Sequence, residues 1–515
     1  MKKHILNISL AAAVLVTACQ PQEKQQTTDT IEENHYEMLA NLPLEGGYPT
    51  AEETRTLDEE LFFQRATQAY LWALPAVNMY AMKEGLGKLN GEGYNVMSVF
   101  EERLKPNTII TTPNSDVIYG LAFADLSKTG PLVLDAPANL QGLMDDFWHR
   151  PLVGPNINGR QFLGDIGIPG PDRGKGGKYL IVPEGYEGEM DGNQYFIYTS
   201  STNGVFIFLR GFFQSVDDLE PGVKAVEGLK MYPLNGERKE MKYAHSSNKE
   251  ANALFAHDYS YFEMLNRFIQ SDLVDDLDPY MNGVLAAIGI KKGMDFNPTA
   301  SEKELLEQAA QTAWRMAKNI AANFDREYKG LWWEDRQWVA HGKTELDDFM
   351  HVLLNEEFAW RETGHTDVNA KAHMFINHYS ISTGMISSIV GLGAKYAGAY
   401  KDSEGNFLSG ENTYQIDIPA DVPAKLFWSL TAYDFATASG LPAGQEYPSL
   451  NSLNDLDYNE DGSVTIYFAP EQPEGKKNWI KTIPNVGWFS LIRLYGPDQG
   501  FFDRQFKPGD FVKVK

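Results

Sequence analysis

The chain has 515 residues, more than one hydrophobic core usually holds, so at least two domains are expected. Hydrophobic residues make up 43% and charged residues 22%, the proportions of a globular protein. A formal net charge of -25 argues against nucleic acid as a partner, since phosphates would be repelled, and against docking on anionic lipid head groups.

The N-terminus reads as an address. "MKKHILNISLAAAVLVTACQ" has a basic start and an apolar run of signal-peptide length, too short for a spanning helix. It ends in "LVTAC", which resembles the bacterial lipobox. The resemblance implies that Cys19 becomes the lipidated first residue of the mature protein, and Gln20 in place of Asp implies the outer membrane. Membrane contact is then expected through this anchor only. Cys19 is the single cysteine, so there is no intrachain disulfide, no cysteine-based zinc site and no cysteine nucleophile. "QPQEKQQTTDTIEENH" is polar and reads as a flexible tether.

From Thr54 the spacing is helical, with Leu61, Phe62, Ala66, Tyr70 and Leu74 recurring, and Pro75 is expected to kink or end the helix. A second short helix is expected over Val96 to Arg103. From Thr108, "VIYGLAFADL", "GPLVLDAP", "GGKYLIVPEGY", "NQYFIYTSS" and "GVFIFLRGFF" are short, β-branched and aromatic, and bounded by turn residues. No long helices intervene, which favours a sandwich or jelly roll over a parallel βαβ sheet. The middle is helical. Ser301 and Glu304 form a capping-box pattern, "TELDDFMHVLLNEEFAW" carries an apolar face, and "MFINHYSISTGMISSIVGLGAKYAGAY" is expected to be a further helix. From about Asp402 strands return in "NTYQIDIPA", "AKLFWSLTAYD", "GSVTIYFAP" and "GWFSLIRLYGP". Both β regions end in a similar strand, each with a lone arginine after an apolar run, Arg210 and Arg493.

"AYLWALPAVNMY", "TTPNSDVIYG", "DFWHRPLVGPNI" and "GGKYLIVPEGYEG" together resemble the bacterial domain of unknown function 1254, over roughly Arg65 to Val216. "LFWSLTAYDFATASGL", "DGSVTIYFAP", "KNWIKTIPNVGWFSLIRLYGP" and "FKPGDFVKV" resemble its companion, the domain of unknown function 1214, over roughly Tyr400 to Lys513. The resemblance implies a mainly β fold with substantial α content: two jelly-roll-like antiparallel β-sandwich domains with flanking and intervening helices. It implies no activity. The expected organisation is a leader over 1–19, a tether over 20–50, helices with the first sandwich over 51–235, a mainly helical region over 236–400, and the second sandwich over 401–515.

"MDDFWHRPLVGPN" is the richest site candidate. Asp145, Asp146 and His149 are the material of acid–base catalysis, and Trp148 suits stacking on a flat ligand beside Arg150. The same residues also suit a buried Trp with Asp146 and Arg150 paired locally. In "TTPNSDVIYG", Asn114, Asp116 and Tyr119 read as the rim of a pocket, or as an Asx turn leading into a strand. Asp116, Asp145 and Asp146 are the candidates for the two carboxylates that glycoside hydrolysis needs. Trp428, Tyr433 and Trp479 suggest an aromatic wall for a ligand, with an aromatic core as the plainer reading.

Metal motifs fail: there is no HExxH, and His373 and His378 are five apart, on different sides of a helix. Asp347, His351 and Asn355 share a face that reads as solvated. "DYNEDGSVTIYF" opens like a calcium loop but has Phe468 where a bidentate Glu is required, and reads as a hairpin turn. No metal and no cofactor are expected. The favoured function is an envelope lipoprotein that binds a small polar or carbohydrate-like ligand, with hydrolysis of that ligand as the enzymatic form of the same expectation. The alternatives are a non-enzymatic assembly protein forming homo-oligomers through its helices, and, more weakly, a metal-dependent enzyme using His149.

Overall fold

The computed structural model describes residues 34–272, 278–325, 330–341, 367–382, 385 and 389–514. The leader, Cys19, the segment around Asp347 and His351, and most of "GMISSIV" lie outside the described residues. The chain divides into two compact units, Met1–Asp58 and Glu59–Lys515. In the first, residues expected to be tether carry a helix, His35–Ala40, and a two-stranded ladder, Leu44–Glu45 with Tyr48–Pro49.

The first long helix, Ala51–Asn90, is 40 residues, about 60 Å at 1.5 Å per residue. Thr50 caps it: Thr50 N donates to Glu53 Oε2 at 3.0 Å and Glu53 N donates to Thr50 Oγ1 at 3.5 Å. It does not stop at Pro75. A proline inside a helix costs about 3 kcal/mol, but Ala66, Ala69, Tyr70, Ala73, Leu74, Ala76, Val77 and Met79 are all fully buried around it. Burial at roughly 1.5–3 kcal/mol per large apolar side chain outweighs one missing hydrogen bond.

The first sandwich packs two six-stranded sheets. One runs in the order Asp165–Gly167, Gln141–Asp146, Gly204–Gly211, Ile118–Asp125, Val96–Phe100, Lys242–His245. The other runs Lys230–Pro233, Leu132–Ala136, Gly177–Pro183, Phe196–Ser200, Val153–Ile157, Arg160–Leu163. Their facing side chains, among them Ile118, Ile207, Leu209, Leu134 and Ile181, form one core. The helix expected over Val96 to Arg103 is instead a strand, Val96–Phe100, because pairing with Ile118–Asp125 buries Met97 and Val99 in that core.

The second sandwich packs a five-stranded sheet, Trp338–His341, Ala394–Ala399, Trp488–Pro497, Ala424–Asp434, Ser449–Asn451, on a four-stranded one, Trp479–Lys481, Val464–Ala469, Tyr414–Ile418, Val512–Lys513. "GAKYAGAY", expected to be helical, supplies the strand Ala394–Ala399. Its small residues suit a strand buried on both faces. Most ladders are antiparallel. Parallel pairs join Gly177–Pro183 to Phe196–Ser200, Lys242–His245 to Val96–Phe100, Ala251–Asn252 to Thr108–Ile109 and Val464–Ala469 to Trp479–Lys481.

Helices Ser260–Ser271, Pro279–Ala287 and Ala300–Ala322 lie between the sandwiches in sequence, and Val368–Asn377 follows the first strand of the second sandwich, Trp338–His341. The capping box of Ala300–Ala322 is Thr299 with Glu302, two residues earlier than expected. Pro298 disfavours helical backbone at Asn297 before it, so the helix does not extend further back. No helix among the described residues is long and apolar enough to cross a membrane.

One sheet of each sandwich is buried on both faces. Gly204–Gly211 and Trp488–Pro497 are the central strands of these sheets, and every residue in them is buried. Their outer faces contribute Tyr119, Phe208, Tyr396, Leu491 and Tyr495 to a third core, shared with the first long helix and with Val368–Asn377. The candidate site sits in this third core.

A candidate anion site between the two sandwiches

The turn Thr111–Asp116 leaves the first sandwich and docks on the second. Asn114 Oδ1 accepts from Asp116 N at 2.9 Å, the expected Asx turn. Thr112 N donates to Ala438 O at 2.6 Å, Tyr433 Oη to Pro113 O at 2.7 Å, and Arg493 Nη2 to Thr112 O at 3.0 Å. Asn114 Nδ2 donates to Tyr495 Oη. Asp116 is the clasp of this junction. It accepts from Arg103 Nη2 at 3.1 Å, Asn451 Nδ2 at 2.6 Å and Ser449 Oγ at 3.2 Å. With its side chain fully buried and engaged in this way, Asp116 holds the turn to the second sandwich.

The turn closes one side of a cavity of about 60 Å³. Strand alternation sends Phe208 and Arg210 into it from one sheet, and Leu491, Arg493 and Tyr495 from the other, while Leu209, Ile492 and Leu494 point back into the sandwich cores. The two arginines occupy matching registers. Arg210 pairs across the ladder with Tyr119, and Arg493 with Tyr396. Tyr119, Tyr396 and Tyr495 lie within electrostatic range of both guanidiniums, so the two cations converge on one phenol cluster. The likeness noted between "GVFIFLRGFF" and "GWFSLIRLYG" thus becomes a pair of facing strands with one charge each.

The electrostatics of this cavity are one-sided. Among the described residues its lining carries two guanidiniums and no carboxylate. Arg210 is 7% exposed and forms no ion pair among the described residues, and its Nε has no acceptor there. Arg493 is 3% exposed and among the described residues donates to neutral groups, Thr431 Oγ1 at 3.3 Å and Thr112 O. Burial pushes the phenols of Tyr119, Tyr379 and Tyr495 up, so they stay protonated and able to donate. The Tyr396 hydroxyl is buried with no partner among the described residues. Buried charge without a counterion is costly, and proteins keep it mainly where something else binds.

The "DDFWHR" cluster lies elsewhere. Asp146 pairs locally with Arg150, accepting from its Nε at 2.6 Å and its N at 2.9 Å, and also from Ser201 Oγ at 2.7 Å. Trp148 is buried against Trp72 and Phe268, with ring centroids 4.7 and 5.5 Å away. Asp145 and His149 sit behind the cavity wall. Asp145 Oδ2 accepts from Ile381 N and His149 Nδ1 accepts from Ser380 N, both at 3.0 Å, and Ser380 and Ile381 line the cavity. Burial lowers the His149 imidazole to about 3, so it is neutral at ordinary pH. Burial likewise holds the Asp145 carboxyl well above the usual carboxylate range.

Of the sequence candidates, only Asn114 and Tyr119 line the cavity directly. None of Asp116, Asp145 and Asp146 does. The expected aromatic wall is divided: Trp428 belongs to the second sandwich core and Tyr433 to the third core, while Trp479 is half-buried with Nε1 bonded to Ala469 O at 3.0 Å. Arg210, Arg493, Tyr396 and Tyr495 were not chosen as site residues from sequence. Their signal was the repeated lone arginine. Among the described residues no three His, Cys, Asp or Glu side chains gather into a metal-binding group.

Residues 94–233 match the family described as protein of unknown function DUF1254, and residues 393–499 match that described as DUF1214. No curated protein matches the chain. The crystal structure of the VPA0106 protein from Vibrio parahaemolyticus is similar with a TM-score of 0.50 at 14% identity, covering 88% of this chain and 100% of that one. An uncharacterised protein from Burkholderia cenocepacia matches with a TM-score of 0.39 at 13% identity, over 90% of this chain and 97% of that one. The first likeness concerns the fold alone.

Proposed function

We propose that this chain, which pairs the domains of unknown function 1254 and 1214, is a lipid-anchored envelope protein that binds a small organic anion in the Arg210–Arg493 cavity. One observation carries the binding: two buried guanidiniums line one cavity, and among the described residues its lining has no carboxylate. A bound carboxylate or other oxyanion would complete a charge-assisted, two-armed contact of the kind arginine makes best. The small polar ligand expected from sequence is thereby narrowed to one with negative charge.

A ligand that binds only the folded state stabilises it by about 2.7 kcal/mol at a hundredfold excess over its Kd. Small carboxylates at saturating concentration should therefore raise the melting temperature, while neutral sugars and amines should not. Equal shifts with chloride at matched ionic strength would sink the proposal. The envelope anchor is supported by the leader and "LVTAC". Cys19→Ala should move the protein from the membrane to the soluble fraction, and unchanged membrane association would remove that part of the reading.

Hydrolysis is a second reading, favoured by one contact in the same cavity: Thr112 Oγ1 lies 3.0 Å from His378 Nδ1. A hydroxyl bonded to an imidazole is the material of a nucleophile and its base. Thr112 also has φ +36°, unusual for a β-branched residue. Ester turnover that Thr112→Val abolishes without loss of anion binding would establish it. Its absence would leave a binding protein.

A further inference from the structure

We infer that the anion is a short monocarboxylate with a compact apolar body. This rests on the anion-binding reading above and narrows it by three independent features of the cavity.

The first is size. The cavity is about 60 Å³. A space of this size favours a compact ligand over an extended one.

The second is the division of the lining. Phe208 and Leu491 stand two residues before Arg210 and Arg493 on the same strand faces, about 7 Å along each strand at the backbone, and the Phe208 ring centroid lies 4.9 Å from the Arg210 guanidinium. Met374, on the Val368–Asn377 helix, and Ile381, in the chain leading out of it, add further apolar surface. The charged donors are Arg210 and Arg493, with the phenols they share, and Thr112, Asn114, His378 and Ser380 add neutral polar groups to the lining. A ligand with one charged group and a compact carbon body matches that mixture.

The third is the geometry of the donors. Guanidinium offers parallel N–H groups that match the two oxygens of a planar carboxylate. Phosphate and sulfate carry oxygens all round, so some would face Phe208 and Leu491 without a donor. Each desolvated, unpartnered acceptor weakens binding about tenfold or more. A dicarboxylate would place its second charge against the same apolar surface, at a still larger penalty.

Calorimetric titration of the full chain tests this with acetate, propionate, butyrate, phosphate and succinate at fixed ionic strength. Affinity should rise about fourfold per added methylene from acetate to butyrate. Phosphate and succinate should bind at least tenfold more weakly than propionate. Arg210→Met should remove the propionate signal, placing the ligand in this cavity. A flat carboxylate series, or phosphate or succinate as tight as propionate, overturns the monocarboxylate assignment while leaving anion binding standing. Propionate binding that survives Arg210→Met overturns the location. No heat with any of the five anions overturns both.

Discussion

Arg210→Met is expected to abolish anion binding and to raise the melting temperature of the ligand-free protein. The two effects share one cause. Arg210 is buried, has no ion pair among the described residues and leaves its Nε without an acceptor there. In the absence of ligand its charge is offset only by the face of the Phe208 ring, 4.9 Å from the guanidinium, and by neutral phenols. Replacing buried charge with an apolar side chain of similar volume is often neutral or stabilising by about 1–4 kcal/mol. With ligand bound, the same guanidinium supplies a charge-assisted hydrogen bond worth roughly 1.5–3 kcal/mol, a loss of about 10- to 150-fold in affinity. The flanking apolar surface cannot offset that loss, because the carboxylate would then be buried beside one cation instead of two.

Arg493 provides the contrast. It donates to Thr431 Oγ1 and to Thr112 O, tying a strand of the second sandwich to the turn from the first. Arg493→Met should therefore lose affinity and stability together. Opposite stability changes from two arginines in matching registers would identify Arg210 as held for the ligand and Arg493 as also holding the fold. Should Arg210→Met lower the melting temperature and leave anion binding intact, the cavity is a structural feature and the proposed function fails. Thermal unfolding with and without propionate reads both quantities.

Much of the fold was legible because it depends on local pattern. Short β-branched runs between turn residues announced both sandwiches, and Asn114 followed by Asp116 announced the Asx turn. The errors arose where tertiary pairing decides. Val96–Phe100 has no strong alternation, yet it is a strand because Ile118–Asp125 offers it an open edge. "GAKYAGAY" looks helical by its alanines, yet it lies between two other strands of a sheet.

The site was harder to read for a different physical reason. Carboxylates beside a histidine can be recognised within six residues, and they drew the eye to "DDFWHR". There the expected local Asp146–Arg150 pair is what forms. An uncompensated cation is defined by what is missing around it in space, and that cannot be seen along the chain. Arg210 and Arg493 stood out only as repeated exceptions in apolar strands. Their meaning came from two sheets facing each other across the docked turn.

That docking should depend steeply on one carboxylate. Asp116→Ala is expected to destabilise the protein by about 3–5 kcal/mol, the usual cost of breaking a buried ion pair by removing one partner. Arg103 is 6% exposed and would keep its charge, with only its bond from Nε to Ser115 O at 2.6 Å and its stacking over Tyr447 at 4.1 Å to hold it. Asn451 Nδ2 and Ser449 Oγ would lose an acceptor at the same time. Total stabilities of about 5–15 kcal/mol make this a large fraction. The loss should also reach the cavity, because the same turn carries Thr112 and Asn114 into its lining.

The double change Arg103→Met with Asp116→Ala separates ion-pair loss from simple cavity formation. It removes the stranded cation, so it should recover a good part of the stability, whereas two independent truncations would add their costs. Affinity for propionate should stay low in both variants, since neither restores the carboxylate that positions the turn. Denaturant unfolding and calorimetry on the single and double variants give the comparison. If Asp116→Ala unfolds within about 0.5 kcal/mol of the unaltered protein, the size of an ordinary surface substitution, the turn is held by its backbone contacts to Ala438, Tyr433 and Arg493, and Asp116 is not the clasp.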